Sequence, residues 1–151
     1  MQFHSYSLHL NTDMLDKELQ FWTTSPHFLL VATIDQSVVG LVSIQKKSES
    51  VSELNRLSVL SSVRGLGLGK ALVEAAIKRS VKVGFKNVYL ETTDVQQSAI
   101  RIYEKVGFKL TGYFVASIGL PIYVPHLFHG ILVRKYVYQP QWFLKNVRFL
   151  C

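Results

Sequence analysis

Apolar positions recur along this chain with two periods, and the change from one to the other marks the elements. Over residues 13–22, Met14, Leu15, Leu19 and Trp22 fall at helical spacing, with Thr12 or Asp13 placed to cap the start, which predicts a first amphipathic helix. Two apolar, β-branched runs follow at 27–34 and 38–44, parted by Asp35-Gln36-Ser37 in the manner of a hairpin. A third strand at 53–60 is expected to set Glu53, Asn55, Leu57 and Val59 on one face and Leu54, Arg56 and Ser58 on the other. Over 69–83, Leu72, Ala75, Ala76 and Val83 form a helical stripe, and Gly84 supplies a left-handed stop. Residues 87–92 read as a short strand. Asp94 with Gln97 then resembles a capping box for a helix through Val106, stopped at Gly107. Strands are expected again at 109–114 and 126–137, with Pro121 and Pro125 marking an irregular loop between them.

Strand and helix therefore alternate after an opening hairpin, in a chain of 151 residues with no repeat or linker, so one α/β domain spanning 1–151 is expected. Hydrophobic residues at 48% and charged residues at 18% fit a globular enzyme and not a disordered segment. The single cysteine, Cys151, ends the chain and leaves no disulfide framework, no cysteine zinc site and no buried catalytic thiol. No run of about 18 apolar residues is present to span a bilayer, and the N-terminus lacks a signal-peptide layout, so a cytoplasmic location is expected. The net charge of +7 favours an anionic partner without choosing between a polyphosphate ligand, an acidic membrane face and RNA.

The glycine segment Val63-Arg64-Gly65-Leu66-Gly67-Leu68-Gly69-Lys70 narrows that choice, because it lies between a strand and a helix, where backbone N–H groups converge and anions bind. Glycines at alternate positions let a pyrophosphate approach those amides and allow unusual backbone angles. The dinucleotide pattern G-x-G-x-x-G fails, since its last glycine would fall on Lys70 or Leu72. The triphosphate pattern G-x-x-x-x-G-K-[ST] fails as well, since Gly69-Lys70 is followed by Ala71 and preceded five residues back by Arg64.

Arg64-x-x-Gly67-x-Gly69 does fit the turn [Q/R]-x-x-G-x-[G/A], and Ala99-x-x-x-Tyr103-x-x-x-Gly107-Phe108 follows it; with these two motifs the sequence resembles the GCN5-related N-acetyltransferase (GNAT) superfamily over about Phe28 to Tyr113. Glu53-Leu-Asn-Arg-Leu-Ser-Val59, Gly69-Lys-Ala-Leu-Val and Leu90-Glu-Thr-Thr are similar to its camello-like branch. The resemblance implies a mixed, mostly antiparallel twisted sheet with helices on both faces, splayed near the glycine turn to admit coenzyme A. It also implies transfer of an acetyl group from acetyl-coenzyme A (acetyl-CoA) to a primary amine; no metal is expected, since no ligand set stands at the required spacing. Branch members typically carry a hydrophobic membrane segment ahead of the catalytic domain, so a longer, anchored form would sit at the endoplasmic reticulum membrane.

By this resemblance the amides of Arg64, Gly65, Leu66, Gly67, Leu68, Gly69 and Lys70 hold the pyrophosphate, and the main chain of Leu57, Ser58 and Val59 pairs with the pantetheine arm like an added strand. Gln96 stands where the superfamily often has an asparagine that helps hold coenzyme A. Lys70, Arg101 and Lys105 are further phosphate candidates, although such side chains on helices are most often solvated.

Acetyl transfer needs an uncharged amine and a proton for the departing thiolate. By the resemblance, Tyr103 stands where the superfamily commonly places the hydroxyl that reaches the thiolate and is the candidate acid, its phenol staying protonated at neutral pH; aromatic packing is its plainer reading. Glu53 is the first candidate base, weighed evenly against a solvated carboxylate at a strand start, and Glu91 the second. His126 and His129 lie near the expected acceptor end without acidic or cysteine partners at metal-ligand spacing. With only the terminal Cys151 available for a covalent intermediate, direct transfer in a ternary complex is expected.

The acceptor is expected to be an amino acid derivative such as a cysteine S-conjugate, or a protein lysine. Two rivals are a coenzyme A-binding module without turnover and a basic RNA-binding domain; the second lacks any RNA-recognition motif, so no nucleic-acid partner is expected. The tail 136–151 mixes aromatic and basic side chains and suits an interface, whether a membrane surface, a homodimer contact or, most simply, a cover for the sheet edge.

Overall fold

The computed structural model describes residues 3–4, 21, 24–116 and 131–140. Seven strands form one sheet in the order β1-β2-β3-β4-β5-β7-β6: β1 (Phe3–His4), β2 (Phe28–Ile34), β3 (Ser37–Lys46), β4 (Val51–Val59), β5 (Asn87–Thr93), β6 (Lys109–Ala116) and β7 (Ile131–Tyr138). All neighbours run antiparallel except β4 and β5. This is the expected mixed, mostly antiparallel α/β fold. The predicted helix at 13–22 lies outside the described residues apart from Phe21, as do Pro121, Pro125, His126, His129 and the tail beyond Pro140.

The hairpin joining β2 to β3 turns on Asp35 and Gln36, both with positive φ (47° and 67°), which gives the turn a twist matching its strands. Ser37, expected in the turn, is already the first residue of β3. In β4 the expected alternation breaks. Arg56 takes a left-handed φ of 57°, and the register with β3 slips between Leu41↔Ser58 and Ser43↔Asn55. The bulge moves Val59 onto the face of Leu54, opposite Gly40 and Ile44, and leaves Glu53, Asn55 and Ser58 on the other. Leu57 packs against the same core as Leu54. Leu57 and Val59 thus do not share a face with Glu53, contrary to the sequence pattern.

Helix α1 (Leu68–Val83) crosses from β4 to β5, and α2 (Gln97–Val106) follows β5. Leu72, Val73 and Ala76 of α1 are fully buried against the sheet, whereas Val83, expected in the stripe, is 42% exposed; Ile77 and Ser80 continue the buried face instead. A Cβ on Gly40 would lie 2.9 Å from Leu72 Cδ1 and 3.1 Å from Ser58 O, so the glycine lets α1 lie close on the sheet. Both helices end on left-handed glycines, Gly84 and Gly107, as expected. The capping box does not form. Gln96 is the N-cap but its side chain makes no capping bond to the helix, Gln97 donates to the carbonyl of Asp94, and the Asp94 carboxylate pairs with Arg134 on β7. Both helices share one core with Phe28, Ile44, Leu54, Leu90 and Tyr136.

Candidate functional site

The parallel strands β4 and β5 pair only at Val51↔Asn87, Ser52↔Val88 and Glu53↔Tyr89, and then part. Into the gap open the end of β4, the glycine turn and the start of α2, which enclose a cleft of ≈ 680 Å³. Of the residues expected to hold the cofactor, Leu57, Ser58, Val59, Arg64, Gly65, Gly67, Leu68, Gly69, Lys70 and Gln96 line it. Leu66 is 72% exposed and does not. Past Glu53, β4 is paired on its β3 side alone among the described residues, which turns its other edge toward the cleft.

Local chemistry shapes the turn. A 3-10 turn at Ser61–Val63 leads into Arg64, whose Nε donates to the carbonyl of Val59 at 3.0 Å and so ties the turn to the end of β4. Gly65 and Gly67 have φ of 82° and 80°, and added Cβ atoms there would meet only open space; conformation, not crowding, calls for glycine. Gly67 caps α1, and its carbonyl takes the first intrahelical bond from Ala71 at 3.1 Å, so the amides of Leu68, Gly69 and Lys70 are the orphan donors of the helix start. At Gly69 the reason is different: a Cβ would lie 2.9 Å from Ile102 Cδ1, so this glycine sets the approach of α2 to α1.

The cleft thus carries orphan amides and the cations Arg64, Lys70, Arg101 and Lys105, with apolar walls from Leu57, Val59, Ala99 and Ile102. That donor set fits a ligand with a phosphorylated end and a slender, less polar arm. Lys70 also reaches Glu74 at 3.2 Å.

The two catalytic candidates lie apart from the cleft lining. Tyr103 is 5% exposed and meets the Phe108 ring edge-on at 5.8 Å between centroids; burial pushes its phenol up to about 12. Glu53 sits at the point where β4 and β5 separate, on the sheet face away from α1, with Lys47 Nζ 2.8 Å from its Oε2. Glu91 stands on the same face, accepting from the Tyr89 hydroxyl and 3.8 Å from Lys135 Nζ. Desolvation and then the Glu91 carboxylate hold the Tyr89 phenol above its ordinary range. Sequence reasoning missed Lys47, Tyr89 and Lys135. The i, i+2 spacing of Tyr89 and Glu91 was a usable signal, whereas the approach of Lys135 depends on the order β5-β7-β6.

Residues 2–108 match the Acetyltransferase (GNAT) family. The chain belongs to the GNAT family. Its relatives include the "Probable N-acetyltransferase camello" of Xenopus tropicalis, 38% identical over 111 residues that cover 72% of this chain and 51% of the relative. The N-acetylaspartate synthetase of the same organism is 34% identical over 128 residues, covering 84% of this chain and 45% of that protein. The chain thus spans about half the length of these curated relatives. Among solved structures, a GNAT family acetyltransferase from Elizabethkingia anophelis with acetyl-CoA bound superposes with a TM-score of 0.71 at 16% identity, over 92% of this chain and 97% of that one. The GNAT splay and glycine turn are therefore present in this chain, and the camello-like resemblance of its motifs agrees with the relatives.

Proposed function

We propose that this GNAT chain is an acetyl-CoA-dependent N-acetyltransferase acting on a primary amine. The observation that carries the reading is the cleft at the splay, where the orphan amides of Leu68, Gly69 and Lys70 converge beside Arg64, Arg101 and Lys105. Acetyl-CoA supplies the activated acetyl group as co-substrate. The amides and cations of the turn bind its phosphates, and the edge of β4 from Leu57 to Val59, unpaired among the described residues, aligns the arm as an added strand would. Glu53, at the vertex of the splay, takes the proton of the amine through a water. Tyr103, kept protonated by its burial, returns one to the departing sulfur. Acceptor and donor meet in a ternary complex without a covalent enzyme intermediate, a reading supported by the presence of one cysteine in the sequence. The acceptor is an amino acid derivative, such as a cysteine S-conjugate, or a protein lysine; among the relatives, one is named for N-acetylaspartate synthesis.

A second reading, a coenzyme A-binding module without turnover, draws support from the shielding of Tyr103 and the pairing of Glu53 with Lys47. Calorimetric titration with acetyl-CoA, desulfo-coenzyme A and ATP, followed by an amine screen, separates the two. Micromolar binding of the coenzyme A forms, lost in Gly67→Glu, together with acetylation of any amine supports the enzyme. Binding without turnover favours the module, and no binding ends both.

A further inference from the structure

We propose that Thr92 is a positioning residue for cofactor binding: its hydroxyl holds Gln96 Oε1, so that the Nε2 end of the amide is presented to the cleft. The proposal rests on the acetyl-CoA reading above. Thr92 lies on β5 beyond the point where β4 and β5 part, and it is 5% exposed. Its Oγ1 donates to Gln96 Oε1 at 2.9 Å.

Gln96 is exposed and lines the cleft at the start of α2. Its main chain is fixed from both sides, the N–H donating to the carbonyl of Thr93 and the carbonyl accepting from Ile100, each at 3.0 Å. Its side chain gives no bond to the helix it caps, which is unusual work for an N-cap residue and leaves the amide to the cleft. A glutamine amide has an accepting end and a donating end, and they suit opposite ligands. The carbonyl and phosphate oxygens of coenzyme A only accept, so a useful Gln96 must turn its nitrogen toward them. In the observed arrangement Thr92 engages the oxygen, which leaves the nitrogen for the ligand. It also restrains a side chain that would otherwise lose much rotamer freedom on binding, so the amide is organised before the ligand arrives.

The test is a double-mutant cycle read by calorimetric titration with desulfo-coenzyme A, on Thr92→Val, Thr92→Ser, Gln96→Ala, Gln96→Glu and Thr92→Val/Gln96→Ala. A hydrogen bond of ordinary net strength predicts affinity about fivefold weaker in Thr92→Val. Thr92→Ser, which keeps the hydroxyl, should stay within about twofold of the parent on the same grounds. The double variant should bind no more weakly than Gln96→Ala alone. Gln96→Glu can still accept from Thr92 but cannot donate to the ligand, and should bind at least as weakly as Gln96→Ala; because Gln96 is exposed, this arm stands even if Thr92→Val folds poorly. An equal loss from Thr92→Val in both backgrounds, a Thr92→Ser as weak as Thr92→Val, or a Gln96→Glu that binds like the parent overturns the proposal while the cofactor reading survives. If the parent protein itself fails to bind, the cofactor reading is lost and the proposal goes with it.

Discussion

Glu53 and Tyr89 are the last residues to pair between β4 and β5, and beyond them the sheet opens. One carboxylate is thereby placed at the vertex of the splay, on the face away from α1 and α2, while the cleft with its glycine turn opens along the strands that diverge from it.

Glu53→Gln keeps the shape and removes the proposed base. Turnover should fall by about 100-fold, the usual weight of one general base, while the affinity for acetyl-CoA stays near that of the parent. Steady-state kinetics beside calorimetric titration check this; an unchanged kcat would remove Glu53 from the chemistry.

Tyr103→Phe should lower kcat and leave coenzyme A binding intact. Its pH behaviour follows from burial. The folded-state phenol titrates at about 12 against an ordinary value near 10, so the folded form holds its proton more tightly. The associated stability is complete below pH 10 and is lost as pH rises from about 10 toward 12, by up to roughly 3 kcal/mol. Denaturant unfolding at pH 9 and pH 11 should show a smaller drop for Tyr103→Phe than for the parent; equal drops would contradict the assignment.

Gly69→Ala sets a methyl against Ile102 Cδ1, the far end of a flexible side chain, so α2 shifts only modestly from α1. A cost of about 1 kcal/mol is expected, as for mild overpacking. Ile102→Val removes that Cδ1, and the double variant should recover most of the loss in thermal unfolding. Additive effects would mean that the two residues are not in contact.

Tyr136 is fully buried, and its hydroxyl donates to Glu104 Oε1 at 2.9 Å, fastening α2 to β7. Tyr136→Phe should cost about 1 kcal/mol, measured as a lower midpoint in urea with an unchanged slope. No change in midpoint would show that water replaces the bond without loss.

The elements were legible wherever local chemistry sufficed. The turn at Asp35-Gln36, the glycine stops at Gly84 and Gly107, and the start of α1 in the glycine segment all stand where residue type and spacing put them. Errors arose where a tertiary partner outbid a local rule. Asp94 looked like half of a capping box, but Arg134 on β7 draws its carboxylate away. Val83 continues the stripe by spacing alone, yet the sheet lies under Ile77 and Ser80 instead.

Most of the cleft lining was equally legible. Arg64, Gly65, Gly67 and Gly69 act within a few residues of one another, and Gly65 and Gly67 need glycine for their own backbone angles, which is a local property of the chain. The far face was not legible. Lys47 beside Glu53, and Lys135 beside Glu91, are brought together by strand order and register. The bulge at Arg56 reverses which residues of β4 face the helices, because one extra residue shifts a two-residue period by half its length. The sequence by itself determined most of the described elements, the glycine turn and the family motifs, since each depends on neighbours along the chain. Only the tertiary structure decided which side chains meet across the sheet, since a pairing register is set by contacts between residues far apart in sequence.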